Sequence, residues 1–175
     1  CTGLTSISLP ESLTKIESYA FAYCSGLTSM VIPQNVTSIN SYAFCGCTGL
    51  TSISLPESLA ELEDHAFTDC SGLTNMVIPQ SVTSILSEAF SGCSSLQSIK
   101  LPDKLTKFGY YVFSGCSSLT SMEIPEGVTQ IIGTLHGCTS LKSITIPSTV
   151  THLDMGISTG TSIDLTSLEK ITVSP

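Results

Sequence analysis

Residues 1–23 read CTGLTSISLPESLTKIESYAFAY, and the chain rewrites this sentence with small changes almost to its end. Cysteine recurs at Cys1, Cys24, Cys47, Cys70, Cys93 and Cys116, each 23 positions after the last, and then at Cys138 after a step of 22. Proline keeps the same interval at Pro10, Pro33, Pro56, Pro79, Pro102, Pro125 and Pro147. Phenylalanine marks Phe21, Phe44, Phe67, Phe90 and Phe113, and leucine marks Leu4, Leu27, Leu50, Leu73, Leu96, Leu119 and Leu141. A fixed period in the range of about 20 to 50 residues means stacked units, none able to bury its apolar face alone. The fold class that follows is a repeat solenoid, one elongated domain over 1–175. Its coils fall at 1–23, 24–46, 47–69, 70–92, 93–115, 116–137 and 138–160, with an irregular C-terminal strand in 161–175.

Each coil opens on a segment such as Leu4–Leu9, in which Ser6 and Ser8 alternate with Ile7 and Leu9, the pattern of a half-buried strand. Stacking turns these segments into one parallel sheet. Proline lacks a donor and closes each strand, so the proline column marks a sheet edge. Beyond it the spacing of Leu13, Ile16, Ala20 and Phe21 fits neither a long helix nor a long strand, and a short second strand or a 3₁₀ turn is expected there. The Phe column forms the hydrophobic spine.

A longer rhythm lies over the first. Ile7, Ile53 and Ile99 in odd coils answer to Met30, Met76 and Met122 in even ones, and Leu9, Leu55 and Leu101 answer to Ile32, Ile78 and Ile124. The unit of duplication is therefore 46 residues, either as copying of a two-coil block or as complementary volumes in neighbouring layers, and the two are compatible. Regularity fails after Pro147: 27 positions separate Leu141 from a last strand at Leu168, Ile171 and Val173. That tail reads either as a cap or as an irregular loop at 154–163.

Eight cysteines could suggest a disulfide framework. Like residues in adjacent coils should sit about 4.8 Å apart with parallel side chains, whereas a disulfide wants converging Cβ atoms at about 3.8 Å. The expectation is a ladder of buried, reduced thiols acting as small hydrophobes, and a line of sulfurs is no tetrahedral metal site. Cys45 is off the clock and reads as an exposed thiol.

A net charge of -8 with six scattered basic residues argues against nucleic acid and anionic membrane surfaces, which need clustered Lys and Arg. No run of about 18 apolar residues is present to insert in a bilayer. The chain opens at Cys1, inside a repeat, as expected of a segment of a longer protein.

The coil motif C-x-x-L-x-x-I-x-L-P-x-x-L-x-x-I-x-x-x-A-F-x-x resembles the BspA-like, Treponema-type leucine-rich repeats. Cys24, Leu27, Met30, Ile32, Pro33, Val36, Ile39, Ala43 and Phe44 form one full copy, and the resemblance covers about residues 1–150. Val112 in place of Ala and Leu135 in place of Phe depart from it. The resemblance implies a right-handed, curved solenoid with a parallel sheet on the concave side. It also implies an extracellular or cell-surface protein linked to adhesion.

Chemistry is weakly signalled. His65, His136 and His152 are out of phase with one another and read as solvated surface groups. Glu11, Glu57, Asp103 and Glu126 form an acidic column interrupted by Gln34, Gln80 and Ser148, and carboxylates about two coils, roughly 9 to 10 Å, apart with glutamines between them do not suggest a catalytic pair. No catalytic residue, metal site or cofactor is assigned. Two binding surfaces compete. One is the concave face, presenting Ser6, Ser8, Ser29, Val31, Ser52, Ser54, Asn75, Val77, Ser98, Lys100, Ser121, Glu123, Ser143 and Thr145. The other is an aromatic face of Tyr19, Tyr23, Tyr42, Tyr110 and Tyr111. The leading functional reading is a module that binds a protein or glycan along an extended face. A structural stalk that self-associates through its coil ends is the alternative, and a carbohydrate-active enzyme a distant third.

Overall fold

The computed structural model describes residues 1–154 and 169–174 as a parallel-strand β-solenoid, with no helix among the described residues. Each complete coil contributes two short strands. The strands after the proline turn are β1 (Lys15–Ile16), β3 (Ser38–Ile39), β5 (Glu61–Leu62), β7 (Ser84–Ile85), β9 (Lys107–Phe108), β11 (Gln130–Ile132) and β13 (His152–Asp154). The strands before the proline are β2 (Ser29–Val31), β4 (Ser52–Ser54), β6 (Asn75–Val77), β8 (Ser98–Lys100), β10 (Ser121–Glu123), β12 (Ser143–Ile146) and β14 (Lys170–Val173).

The second strands carry the more regular sheet. β1, β3, β5, β7 and β9 pair in sequence, Ile16 against Ile39, Ile39 against Leu62, Leu62 against Ile85 and Ile85 against Phe108, all five side chains buried. This ladder stops where Phe108 takes the aliphatic position of the column, and β11 then pairs with β13 alone.

The first strands were expected to form one sheet and do not. They pair as β2 with β4, β6 with β8, and β10 with β12 and β14. Hydrogen bonds across each even-to-odd junction are short: Ile32 N–H to Ser54 O, Ile78 N–H to Lys100 O and Ile124 N–H to Thr145 O, each 3.0 Å. Across odd-to-even junctions the amides of Leu9, Leu55 and Leu101 make no such bond. The break has the 46-residue period of the Met and Ile alternation, so the two-coil rhythm is expressed as alternately closed and open junctions. The first coil consequently has no first strand: Leu4–Leu9 borders an open junction, held there by one long bond from Thr28 N–H to Thr5 O at 3.4 Å.

Proline closes the strand as expected, and its carbonyl accepts the N–H three residues on, from Leu13 N–H to Pro10 O at 3.0 Å through Val150 N–H to Pro147 O at 3.2 Å. The tight turn brings the second strand back over the core. There the Phe rings stack in one column, with centroids 5.2 Å apart for Phe21 and Phe44, 5.1 Å for Phe44 and Phe67, 5.4 Å for Phe67 and Phe90, and 5.6 Å for Phe90 and Phe113. Leu135, which continues the column in the shorter sixth coil, is fully buried.

The cysteine ladder is reduced and buried from Cys24 to Cys138. Its thiols do more than fill space. Each Sγ–H donates to the Phe carbonyl 26 residues back, or 25 for Cys138: Cys47 to Phe21 at 3.0 Å, Cys70 to Phe44 at 3.1 Å, and Cys93, Cys116 and Cys138 to Phe67, Phe90 and Phe113 at 3.2 Å. The same carbonyls accept the N–H of the Cys three residues on, as in Cys70 N–H to Phe67 O at 3.2 Å. Two expectations need correcting. Cys1 is exposed, and Cys45 is 6% exposed rather than a surface thiol.

At the other end β14 continues the ladder of β12, Ile144 opposite Ile171 and Ile146 opposite Val173, as the spacing of the tail suggested. Leu168 and most of the 154–163 segment lie outside the described residues, so neither reading of that tail is decided.

Candidate functional site

Two surfaces carry the side chains that sequence reading singled out. On the first-strand face, Ser29 and Val31, Asn75 and Val77, and Ser121 and Glu123 are exposed on either side of the buried Met30, Met76 and Met122. Ser6, Ser8, Ser52, Ser54, Ser98 and Lys100 share this face and are exposed, while Ser143 and Thr145 are half-buried in the last sheet. Ser98 donates to the Asn75 side chain at 2.7 Å, across a closed junction.

The open junctions are grooves. Ile7, Leu9 and Glu11 of the first coil face Met30, Val31 and Pro33 of the second around about 510 Å³, a recess that runs on over Ser52, Ile53 and Ser54 of the third. Two coils on, Ile53, Leu55 and Glu57 face Met76, Val77 and Pro79 around about 380 Å³. The third groove, about 180 Å³, sets Ile99, Leu101 and Asp103 against Glu123 and Pro125, with Lys100 beside them. The floors are apolar because the missing ladder leaves inward side chains partly uncovered: Ile53, Leu55 and Ile99 are half-buried, whereas Leu101 is buried. Val31 and Val77 stand on the rims at 70% and 68% exposure. The acidic column is thereby explained as one carboxylate at each groove, Glu11, Glu57 and Asp103. Glu126 instead accepts a hydrogen bond from Ser174.

The tyrosines divide. Tyr19, Tyr42, His65, Glu88 and Tyr111 occupy one phase, all with left-handed backbone, φ from 61° at Tyr19 to 55° at Tyr111. Tyr19 stacks on Tyr42 at 4.9 Å, and Tyr42 on His65 at 4.4 Å. His65 Nδ1 then lies 3.6 Å from Glu88 Oε2 and 3.3 Å from Thr68 Oγ1. His65 is thus a half-buried ring in a stack, not the solvated group its sequence context suggested; its phase, 23 positions after Tyr42, was the available signal. Because the rings stack face to face along the solenoid, they offer mainly edges to a ligand.

Tyr23 belongs to a second left-handed column with Gly46, Asp69, Gly92, Gly115 and Gly137, and its ring lies over Gly46. Cys45 lies beside it and pushes the Tyr23 phenol up, while burial pushes the Cys45 thiol up. Tyr110 borders a separate recess with Phe108 and Gly109. Among the described residues no group of three or more His, Cys, Asp or Glu could hold a metal ion.

The six-copy BspA-type leucine-rich repeat region matches residues 1–85 and 61–173. This chain belongs to the BspA-type leucine-rich repeat family. Among solved structures of leucine-rich repeat proteins, one from Bacteroides ovatus is 33% identical, with a TM-score of 0.80 over 86% of this chain and 39% of that one. The T. pallidum leucine-rich repeat protein is 33% identical, with a TM-score of 0.65 over 67% of this chain and 58% of that one. Pneumococcal vaccine antigen PcpA, 20% identical over 92% of this chain and 48% of that one, shares the fold at a TM-score of 0.60. This BspA-type segment therefore spans less than two thirds of each of these chains. Among curated proteins none matches it. No helix among the described residues is long and apolar enough to cross a membrane.

Proposed function

We propose that this BspA-type solenoid is the binding module of a cell-surface or secreted protein, and that it recognises an extended protein or glycan along its first-strand face. The observation that carries this reading is the series of three grooves, each with an apolar floor and an acidic flank, recurring every two coils beneath exposed Val31 and Val77. Exposed apolar side chains grouped on one face mark interaction surfaces more often than chance placement. Family membership supports the surface placement. Binding is favoured over catalysis because the grooves set aliphatic walls beside carboxylates, one each in the first two and Asp103 with Glu123 in the third, with no nucleophile held against a base.

The test is to screen the purified protein against a glycan array and a random-peptide display library, and then to repeat each positive with the Val31→Lys, Val77→Lys double variant. Both valines are exposed, so the variant should melt as the parent does. Saturable binding lost in the variant supports the reading. Concentration-dependent assembly with no ligand in either screen favours the stalk.

A further inference from the structure

We infer that the recess between β9 and β11 takes the C-terminal residue of a peptide: an apolar side chain, its free carboxylate and the amide that precedes it. The inference stands apart from the proposed binding face, because no residue of the three grooves lines this recess.

Its first support is a missing bond. At the entry to each second strand an N–H donates to the carbonyl one coil back: Thr37 to Thr14 at 2.9 Å, Ala60 to Thr37 and Thr83 to Ala60 at 3.0 Å, Thr106 to Thr83 at 3.1 Å, and Thr151 to Thr129 at 2.8 Å. Among the described residues the step from Thr129 N–H to Thr106 O is the one that lacks this bond, and β9 pairs with β7 but not with β11. A donor on one wall and an acceptor on the other, which satisfy each other elsewhere in the stack, are thus left open at a recess that both residues line. A trans peptide unit carries its C=O and N–H on opposite sides, so one unit complements both walls.

Size and lining limit what else enters. The recess holds about 200 Å³ over buried Phe108 and Val128 and half-buried Leu86, with Tyr110 at its edge. That is several times the roughly 30 Å³ of a water and below the roughly 300 Å³ at which pockets for larger ligands begin. It suits one apolar residue.

Charge selects the chain end. Lys107 is the only charged side chain lining the recess, in a chain whose net charge is -8. An internal peptide unit would answer the two walls and the floor, but only a terminal carboxylate answers the lysine as well.

The experiment titrates ¹⁵N-labelled protein with the peptide Ser-Gly-Ser-Gly-Leu and follows amide shifts by NMR. Its controls are the same peptide as a C-terminal carboxamide, the peptide ending in Gly instead of Leu, free leucine, and the Lys107→Met variant, in which an exposed side chain changes and the fold is kept. The leucine peptide should shift the Thr129 amide saturably. The carboxamide should bind about fivefold more weakly and the Gly peptide about tenfold, and Lys107→Met should remove the preference for carboxylate over carboxamide. Equal binding of the carboxamide or the Gly peptide, or shifts that spare Thr129, overturns the inference. Free leucine binding as tightly as the peptide overturns it in favour of an amino-acid site, and silence from every probe shows a recess that holds only water. The Val31→Lys, Val77→Lys variant should bind the leucine peptide as the parent does, so failure here and failure of the groove reading are told apart.

Discussion

Met30 stands opposite Ile53 in a hydrogen-bonded parallel pair, whereas Ile53 has no such pairing with Met76 in the coil that follows. The same two residue types meet at both junctions, so the asymmetry lies in their order along the stack. Going from an even to an odd coil the first strands close on each other. Going from an odd to an even coil they part and leave a groove.

Amide exchange should show this alternation. Ile32, Ile78 and Ile124 donate at 3.0 Å across closed junctions, and Thr51 donates to Thr28 at 2.9 Å. Leu55, Leu101 and Thr74, at open junctions, have no matching bond. Native-state hydrogen exchange followed by NMR should give protection at the closed sites about fivefold above that at the open ones, from about 1 kcal/mol per net hydrogen bond. Uniform protection through all first strands would mean a continuous sheet and no grooves.

The Phe column is the mechanical centre of the stack. Phe67 is fully buried between two parallel rings at 5.1 and 5.4 Å. Phe67→Ala should cost about 3 to 5 kcal/mol in a chemical melt, as other buried Phe truncations do. Phe67→Leu should cost markedly less, since the sixth coil already seats Leu135 in that place. An unchanged midpoint for the alanine variant would contradict the spine.

The buried columns were legible in the sequence because each coil gives Phe, Cys, Leu and Pro the same surroundings, so the residue type repeats with the environment. The Met and Ile alternation was equally visible, but its consequence was not. A groove is a property of the space between two coils, and alternation alone does not say which junction opens. His65 shares no phase with the other histidines, and its setting follows instead from Tyr42, its neighbour one coil away. The burial of Cys45 is not visible in its own coil because the Tyr23 ring, folded over Gly46, comes from an adjoining one. The second left-handed column has a signal in the sequence: Gly46, Gly92, Gly115 and Gly137 share a phase with Tyr23 and Asp69.

That second column predicts opposite responses to two substitutions. Asp69 holds φ at 59°, a region that costs a non-glycine residue of order 1 to 3 kcal/mol. Asp69→Gly should therefore raise stability by about 0.5 to 1 kcal/mol, the relief exceeding the added entropy of the unfolded chain. Gly92, at φ 73°, lies where a Cβ would collide with the Asp69 carboxylate. Gly92→Ala should lower stability by about 1 to 3 kcal/mol. Thermal melts that rank the two variants the other way would refute the assigned backbone.

The thiol ladder sets the alkaline limit of the fold. Burial pushes Cys93 and Cys138 from an ordinary value of 9.0 to about 12, and pushes Cys116 up as well. In the unfolded chain these thiols begin to lose protons near pH 9, while in the folded protein they keep them. Between about 9 and 12 the unfolded state binds fewer protons, so stability is full below 9 and falls as pH rises through the window. Cys93→Ala removes one such group and its bond to Phe67 O. It should cost about 1 to 2 kcal/mol at neutral pH and make the decline above pH 9 shallower. Urea melts of parent and variant at pH 7, 9 and 10.5 would measure both effects, and a parent whose stability stays level to 10.5 would show that the thiols are not held protonated by burial.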